Sequence, residues 1–190
     1  MTRLPIVRPG RLRAPAAQRI LARGRGEAPT YGFVGALLGD DPPPLDLDVE
    51  RTLGHGPEAF ARAREALRSF VPQRSVATVW PADAGAALGT DLIVALGLGP
   101  ITVVALDRVV AVVDEPDRWG FAYGTLPGHI EVGEEAFVVE RRPDDAVVAR
   151  VTATAQVALP GRRVLQRLLL PIQRRYAERY LDALAAAVAG

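Results

Sequence analysis

Apolar and polar positions along this chain follow two periods, and the change between them divides it into elements. Leu45, Leu47 and Val49 alternate with Asp46, Asp48 and Glu50. A period of two predicts a half-exposed strand, reaching about Leu53. The period then lengthens. Phe60, Ala63, Leu67 and Phe70 fall three and four apart, the stripe of an amphipathic helix. Pro57 and Glu58 supply its start signals and Pro72 its expected stop.

From Ser75 onward short apolar runs return between turn signals. The spacing predicts strands over 75–80, 91–98, 101–113, 119–126, 136–139 and 146–158, with a bulge expected at Asp107-Arg108, where charges interrupt an apolar run. In the last of these strands, Arg150, Thr152, Thr154 and Gln156 share a polar face expected to point outward. The period lengthens once more over 161–189. Leu165, Leu169, Ile172, Tyr176, Tyr180, Leu184 and Val188 form a helical stripe, with Pro171 a kink point and six arginines, Arg162 to Arg179, on the other face.

Short connections between the strands imply an antiparallel meander. A sheet of that extent must cover its apolar face, and the last helix is the large element available to do so. The expected fold is α+β: a curved antiparallel sheet of about seven strands gripping a long C-terminal helix, in one domain over 1–190 with a core at 45–189. Residues 1–26 hold seven arginines and no acid, and 1–30 are expected to form a basic N-terminal arm, mobile or packed.

The densest candidate chemistry lies between Trp119 and Arg141. Trp119, Phe121, Tyr123 and Thr125 share one face of a strand, and Gly120, Ala122 and Gly124 form a small face that another element, a helix by expectation, can approach. Pro127-Gly128 turns the chain. His129, Glu131, Glu134 and Glu135 follow, and an imidazole beside carboxylates is an acid/base or metal arrangement. One histidine gives little selectivity for a transition metal, so no metal is expected. Charges in such a loop also serve simply to keep a hairpin solvated.

Composition removes several kinds of chemistry. There is no cysteine, hence no thiol nucleophile, disulfide or Cys-ligated metal. Serine occurs only at Ser69 and Ser75, against a Ser-His-acid hydrolase. All basic residues apart from two histidines are arginines, and the net charge of +1 gives no global field for nucleic acid or membrane. Gly97-Leu98-Gly99 lacks the third glycine and following helix of a nucleotide loop. The apolar run 92–106 is too short and interrupted to span a bilayer, and no signal peptide is read. A cytoplasmic protein without a cofactor is expected.

Motifs point to a family. Tyr31-Gly32-x-Val34-Gly35, Gly97-Leu98-Gly99-Pro100, Val113-Asp114-Glu115-Pro116, the run from Gly120 to His129, Gly133-Glu134-Glu135-Ala136-Phe137, and Arg174-Arg175-Tyr176 with Tyr180-Leu181 together resemble the domain-of-unknown-function 1990 family, also called UPF-0548. Phe33 and Leu37 depart from its pattern, which leaves that segment a packing role. The order of elements resembles the START-like helix-grip superfamily of lipid-transfer domains, polyketide cyclases and pollen-allergen-type carriers. That resemblance implies a cavity for a small apolar molecule, with Trp119, Phe121, Tyr123, Tyr176 and Tyr180 as ligand-contact candidates. Two other readings stay open. One is a cyclase, dehydratase or hydrolase using His129 with Glu131, Glu134 or Glu135; the other is a partner-binding subunit using the arginine face of the last helix.

Overall fold

The computed structural model describes residues 5–158 and 162–190, and side chains for all of these except 162–169. In chain order the elements are β1 (Ile6–Pro9), α1 (Ala14–Gly24), a 3-10 turn (Ala36–Leu38), β2 (Leu47–His55), α2 (Gly56–Arg68), α3 (Val71–Val76) and β3 (Thr78–Trp80). They continue with β4 (Asp91–Leu98), β5 (Ile101–Asp114), β6 (Arg118–Thr125), β7 (Glu131–Arg141), β8 (Ala146–Val157) and α4 (Arg162–Ala189). The sheet has eight strands in the order β2-β8-β7-β6-β5-β4-β3, with β1 added beside β5. Every pairing is antiparallel. The meander and the gripped C-terminal helix are as the periodicity predicts.

Alternation along each strand sends one set of side chains to the concave face, where α2, α3 and α4 cover it. There Phe70 meets Phe121 edge-on at 5.3 Å, Phe121 stacks on Phe137 at 5.3 Å, and Phe137 reaches Tyr180 at 5.5 Å. Ala177, Leu181, Leu184 and Val188 complete this core from α4. Ile172, expected in the same stripe, is half exposed: the buried line of α4 runs through Ala177 and Leu181 instead. Leu165 and Leu169 lie outside the described side chains, as do Arg162, Arg163 and Arg167. Arg174 and Arg175 are exposed, the former 3.5 Å from Glu178.

The convex face is covered too, by the segment expected to be an arm. β5 is 14 residues long and β6 only 8, so the start of β5 lacks a partner on that side. β1 fills the gap, pairing Ile6 with Val104 and Pro9 with Ile101. Ala17 and Ile20 of α1 then bury against Ile93, Val104, Leu106 and Leu126. Arg108 fastens this layer, donating to the carbonyls of Glu27 (2.8 Å) and Gly24 (3.2 Å) while pairing with Asp91 at 2.5 Å. A guanidinium there also suits the negative end of α1.

Three local expectations are corrected. Pro72 sits in the first turn of a new helix, where its missing N–H costs nothing; α2 ends at Arg68, and 75–80 is helix end plus a three-residue strand. The irregularity in β5 lies between Val109 and Ala111, not at Asp107-Arg108. What approaches the small face of β6 is the Tyr31 side chain and the 3-10 turn, where Leu37 packs on Ala122 and Ala136, rather than a helix of the core.

Candidate functional site

The concave face is not filled along its whole length. Towards the β4–β5 side, between the sheet and the middle of α4, a cavity of about 190 Å³ remains. Small residues on the strands leave the space: Ala105 on β5, Gly133 on β7, Ala153 and Ala155 on β8. Gly133 is required there, since its φ is +154° and a Cβ would lie 2.0 Å from the Thr154 carbonyl oxygen. Val94, Leu96 and Val103 add apolar wall, and Val76 and Ala77 from the end of α3 close one side.

Polar groups enter from three strands and one helix. Register explains how. Tyr123 stands opposite Glu135, and Asp107 opposite Thr125, so a carboxylate from β5 and one from β7 flank the end of β6. Glu131, two residues before Gly133, keeps the same face. Gln173, Tyr176 and Tyr180 come down from α4, at spacings of three and four. Tyr123 donates a hydrogen bond to Glu135, and Gln173 donates one to Glu131.

Burial governs the protonation of these groups. Removal from water pushes the Asp107 carboxyl well above its usual range, and the nearby Glu135 and Glu131 charges push it further. Burial raises Glu135 to about 7, against the opposing hydrogen bond from Tyr123. Glu131 is raised by burial as well, against the bond from Gln173. The Tyr123 and Tyr180 hydroxyls are pushed up, first by burial and then by the Glu135 carboxylate. One acceptor is left over: Asp107 Oδ1 is buried and receives no hydrogen bond from any described residue.

His129 is held in a different role from the one its sequence neighbours suggest. It is 9% exposed, not solvated. Its Nδ1 accepts from the Glu131 backbone N–H at 2.8 Å, which places the neutral ring's proton on Nε2. Nε2 lies 3.6 Å from Asp107 Oδ1. Burial lowers the imidazole to about 4, so at neutral pH the ring is uncharged and its approach to Asp107 is not an ion pair. With Nδ1 held by the Glu131 backbone, His129 orients the loop, and its Nε2 faces Asp107 without a hydrogen bond.

The structure also separates the glutamates. Glu131 and Glu135 face the cavity, whereas the Glu134 carboxylate is drawn to the convex side. There it accepts from Tyr31 Oη (2.8 Å), Gly35 N (2.7 Å) and Leu37 N (3.1 Å). Three donors on one buried carboxylate make a clamp that holds residues 31–37 on the sheet. Gly124 makes room for it, because a Cβ at that position would lie 1.8 Å from Tyr31 Oη. Trp119 and Phe121 belong to the filled core; Tyr123, Tyr176 and Tyr180 line the cavity. Asp107, expected to mark a bulge, and Gln173 were not among the site residues the sequence suggested. The available signal for Asp107 was a lone acid at the same parity as Val103 and Ala105 in an apolar strand. Among the described residues no three His, Asp or Glu side chains converge closely enough to hold a metal ion.

A model of a domain of unknown function, DUF1990, matches residues 30–183, which takes in the Tyr31 clamp, the cavity and most of α4. A UPF0548 protein from Deinococcus radiodurans is 34% identical over 192 residues, covering 93% of this chain and 97% of its own. Among solved structures, a hypothetical protein from Helicobacter pylori aligns with a TM-score of 0.54 at 12% identity, over 74% of this chain and 84% of that one. An uncharacterised protein from Rhizobium leguminosarum aligns with a TM-score of 0.50 at 14% identity, over 75% and 93%. At such identities the likeness is one of fold. No helix among the described residues is long and apolar enough to cross a membrane.

Proposed function

The chain belongs to the DUF1990 family, and from the geometry of its cavity we propose that it is a binding module for a small molecule with an apolar body, held between the sheet and α4. The observation that carries this reading is the cavity itself. Alanines on β5 and β8 and Gly133 on β7 leave it open, while Trp119, Phe121 and Phe137 are packed in the filled core. Interiors are close-packed, and voids of this size are few. About 190 Å³ is roughly six times the share of one liquid water, which suits a ligand of one ring or a short chain. Apolar walls with a few placed polar groups are the general pattern of ligand sites.

Native mass spectrometry of the protein purified from its own host tests this. The expected spectrum carries an adduct that is lost on denaturation and is absent from Ala105→Phe, whose ring occupies the cavity. A wild-type spectrum without adduct, or the same adduct on both proteins, counts against the reading. An acid/base reaction is favoured less, because burial lowers His129 to about 4, far below the neutral range in which a general base works best.

A further inference from the structure

We propose that the ligand of this cavity is a small organic ammonium, an apolar body carrying one protonated amine. This rests on the small-molecule reading above and specifies its chemistry.

Asp107, Glu131 and Glu135 all line the cavity, and among the described residues no arginine does. The chain has no lysine. Of the two cationic side-chain types left, the one histidine at the cavity is held neutral by burial. An anionic ligand would therefore enter a low-dielectric space with three acids and no positive charge from any described residue, which is strongly unfavourable.

The hydrogen-bonding inventory points the same way. Tyr123 and Gln173 each satisfy only part of a carboxylate that offers about four acceptor sites. Asp107, only 1% exposed, brings an acceptor that no described residue meets. An isolated buried acceptor is costly and native structures rarely keep one without a reason. An ammonium has donors and no acceptors, so it answers this surplus without adding one of its own. Tyr123, Tyr176 and Tyr180 stand among the carboxylates, and tyrosine ring faces attract cations. The acids are spread around the wall rather than converging at a point. That suits an ammonium better than a tightly coordinated metal ion.

Binding should also be linked to protons. Glu135 is faced by Tyr123 from β6, Asp107 from β5, Glu131 from its own strand and Tyr180 from α4, and every one of these is acidic or neutral. A cation among them favours the ionised carboxylates. Amine affinity therefore rises as pH climbs through the Glu135 range near 7.

Calorimetric titration with a size-matched set decides the matter: benzylamine, benzyl alcohol and benzoate, with butylamine and butanol as a thinner pair. The expected result is amine binding about tenfold or more tighter than that of the matching alcohol, strengthening from mildly acidic to mildly alkaline buffer, with benzoate weakest. Asp107→Asn and Glu135→Gln, each shown folded by circular dichroism, should each weaken amine binding about tenfold or more. Alcohols binding as tightly as their amines, benzoate binding best, or both folded variants keeping wild-type amine affinity would overturn the ammonium and leave a small-molecule site standing. No binding by either amine overturns it as well; joined to a host-purified protein without adduct, that result ends both readings.

Discussion

Replacing Gly124 by alanine tests whether the Tyr31 clamp holds residues 31–37 to the sheet. The new Cβ would lie 1.8 Å from Tyr31 Oη, 2.6 Å from Cζ and 2.8 Å from Cε1, so the ring must leave its place. Moving it breaks the 2.8 Å bond to Glu134, a carboxylate only 1% exposed. Overpacking costs about 1–3 kcal/mol, and loss of a hydrogen bond to a charged group about 1.5–3 kcal/mol. Gly124→Ala should therefore cost about 2.5–6 kcal/mol. Tyr31→Phe alone loses only the bond, about 1.5–3 kcal/mol. The double variant should fall short of the sum by about the value of that bond, because it is already broken in Gly124→Ala. Urea denaturation followed by circular dichroism gives all three values. Additivity within about 0.5 kcal/mol would refute the clamp, and so would a Gly124→Ala cost under about 1 kcal/mol.

Three further predictions follow from the site and its supports. Glu135, raised from 4.5 to about 7 in the folded state, carries no penalty where both states are protonated; the cost appears as pH rises between those values and is complete above 7. Glu135→Gln should therefore match wild type near pH 4 and exceed its stability by about 3 kcal/mol near pH 8; urea midpoints giving the same difference at both pH values would contradict this. His129, lowered to about 4, should remain neutral with its proton on Nε2 as pH falls below the ordinary 6.5, and nitrogen-detected NMR showing a midpoint near 6.5 or the other tautomer would contradict the assignment. Arg108→Ala should release α1 and make the segment 10–27 a target in limited proteolysis, an effect that Arg108→Lys only partly reverses because a single ammonium cannot reproduce four bonds. An unchanged digestion pattern would show that apolar packing alone seats α1.

The sheet and its gripping helix were legible because alternation or short apolar runs between turn signals mark the strands and the α4 stripe is long. The N-terminal layer was not. β1 is four residues long, half of them Arg8 and Pro9, and what makes it a strand is the unpaired start of β5, a tertiary circumstance. The hairpin glutamates were legible as a cluster but not as two faces. Alternation separates Glu134 from Glu131 and Glu135 once the strand is known to begin at Glu131 rather than Ala136. Asp107 was read as a mark of irregularity because a charge in an apolar strand breaks the pattern locally. Only the closing of β6 and β7 against β5 shows that it faces a cavity. The sequence comparison with the DUF1990 family names the relatives; the cavity chemistry comes from the packing.

The most direct test of small-molecule binding is an amide NMR titration of the wild-type protein and Ala105→Phe with benzylamine and benzyl alcohol. Saturable shifts at Ile130, Gly133, Ala153 and Gln173, lost in Ala105→Phe, are the predicted result. No shift at these positions with either compound, or shifts that persist with the cavity filled, would contradict it.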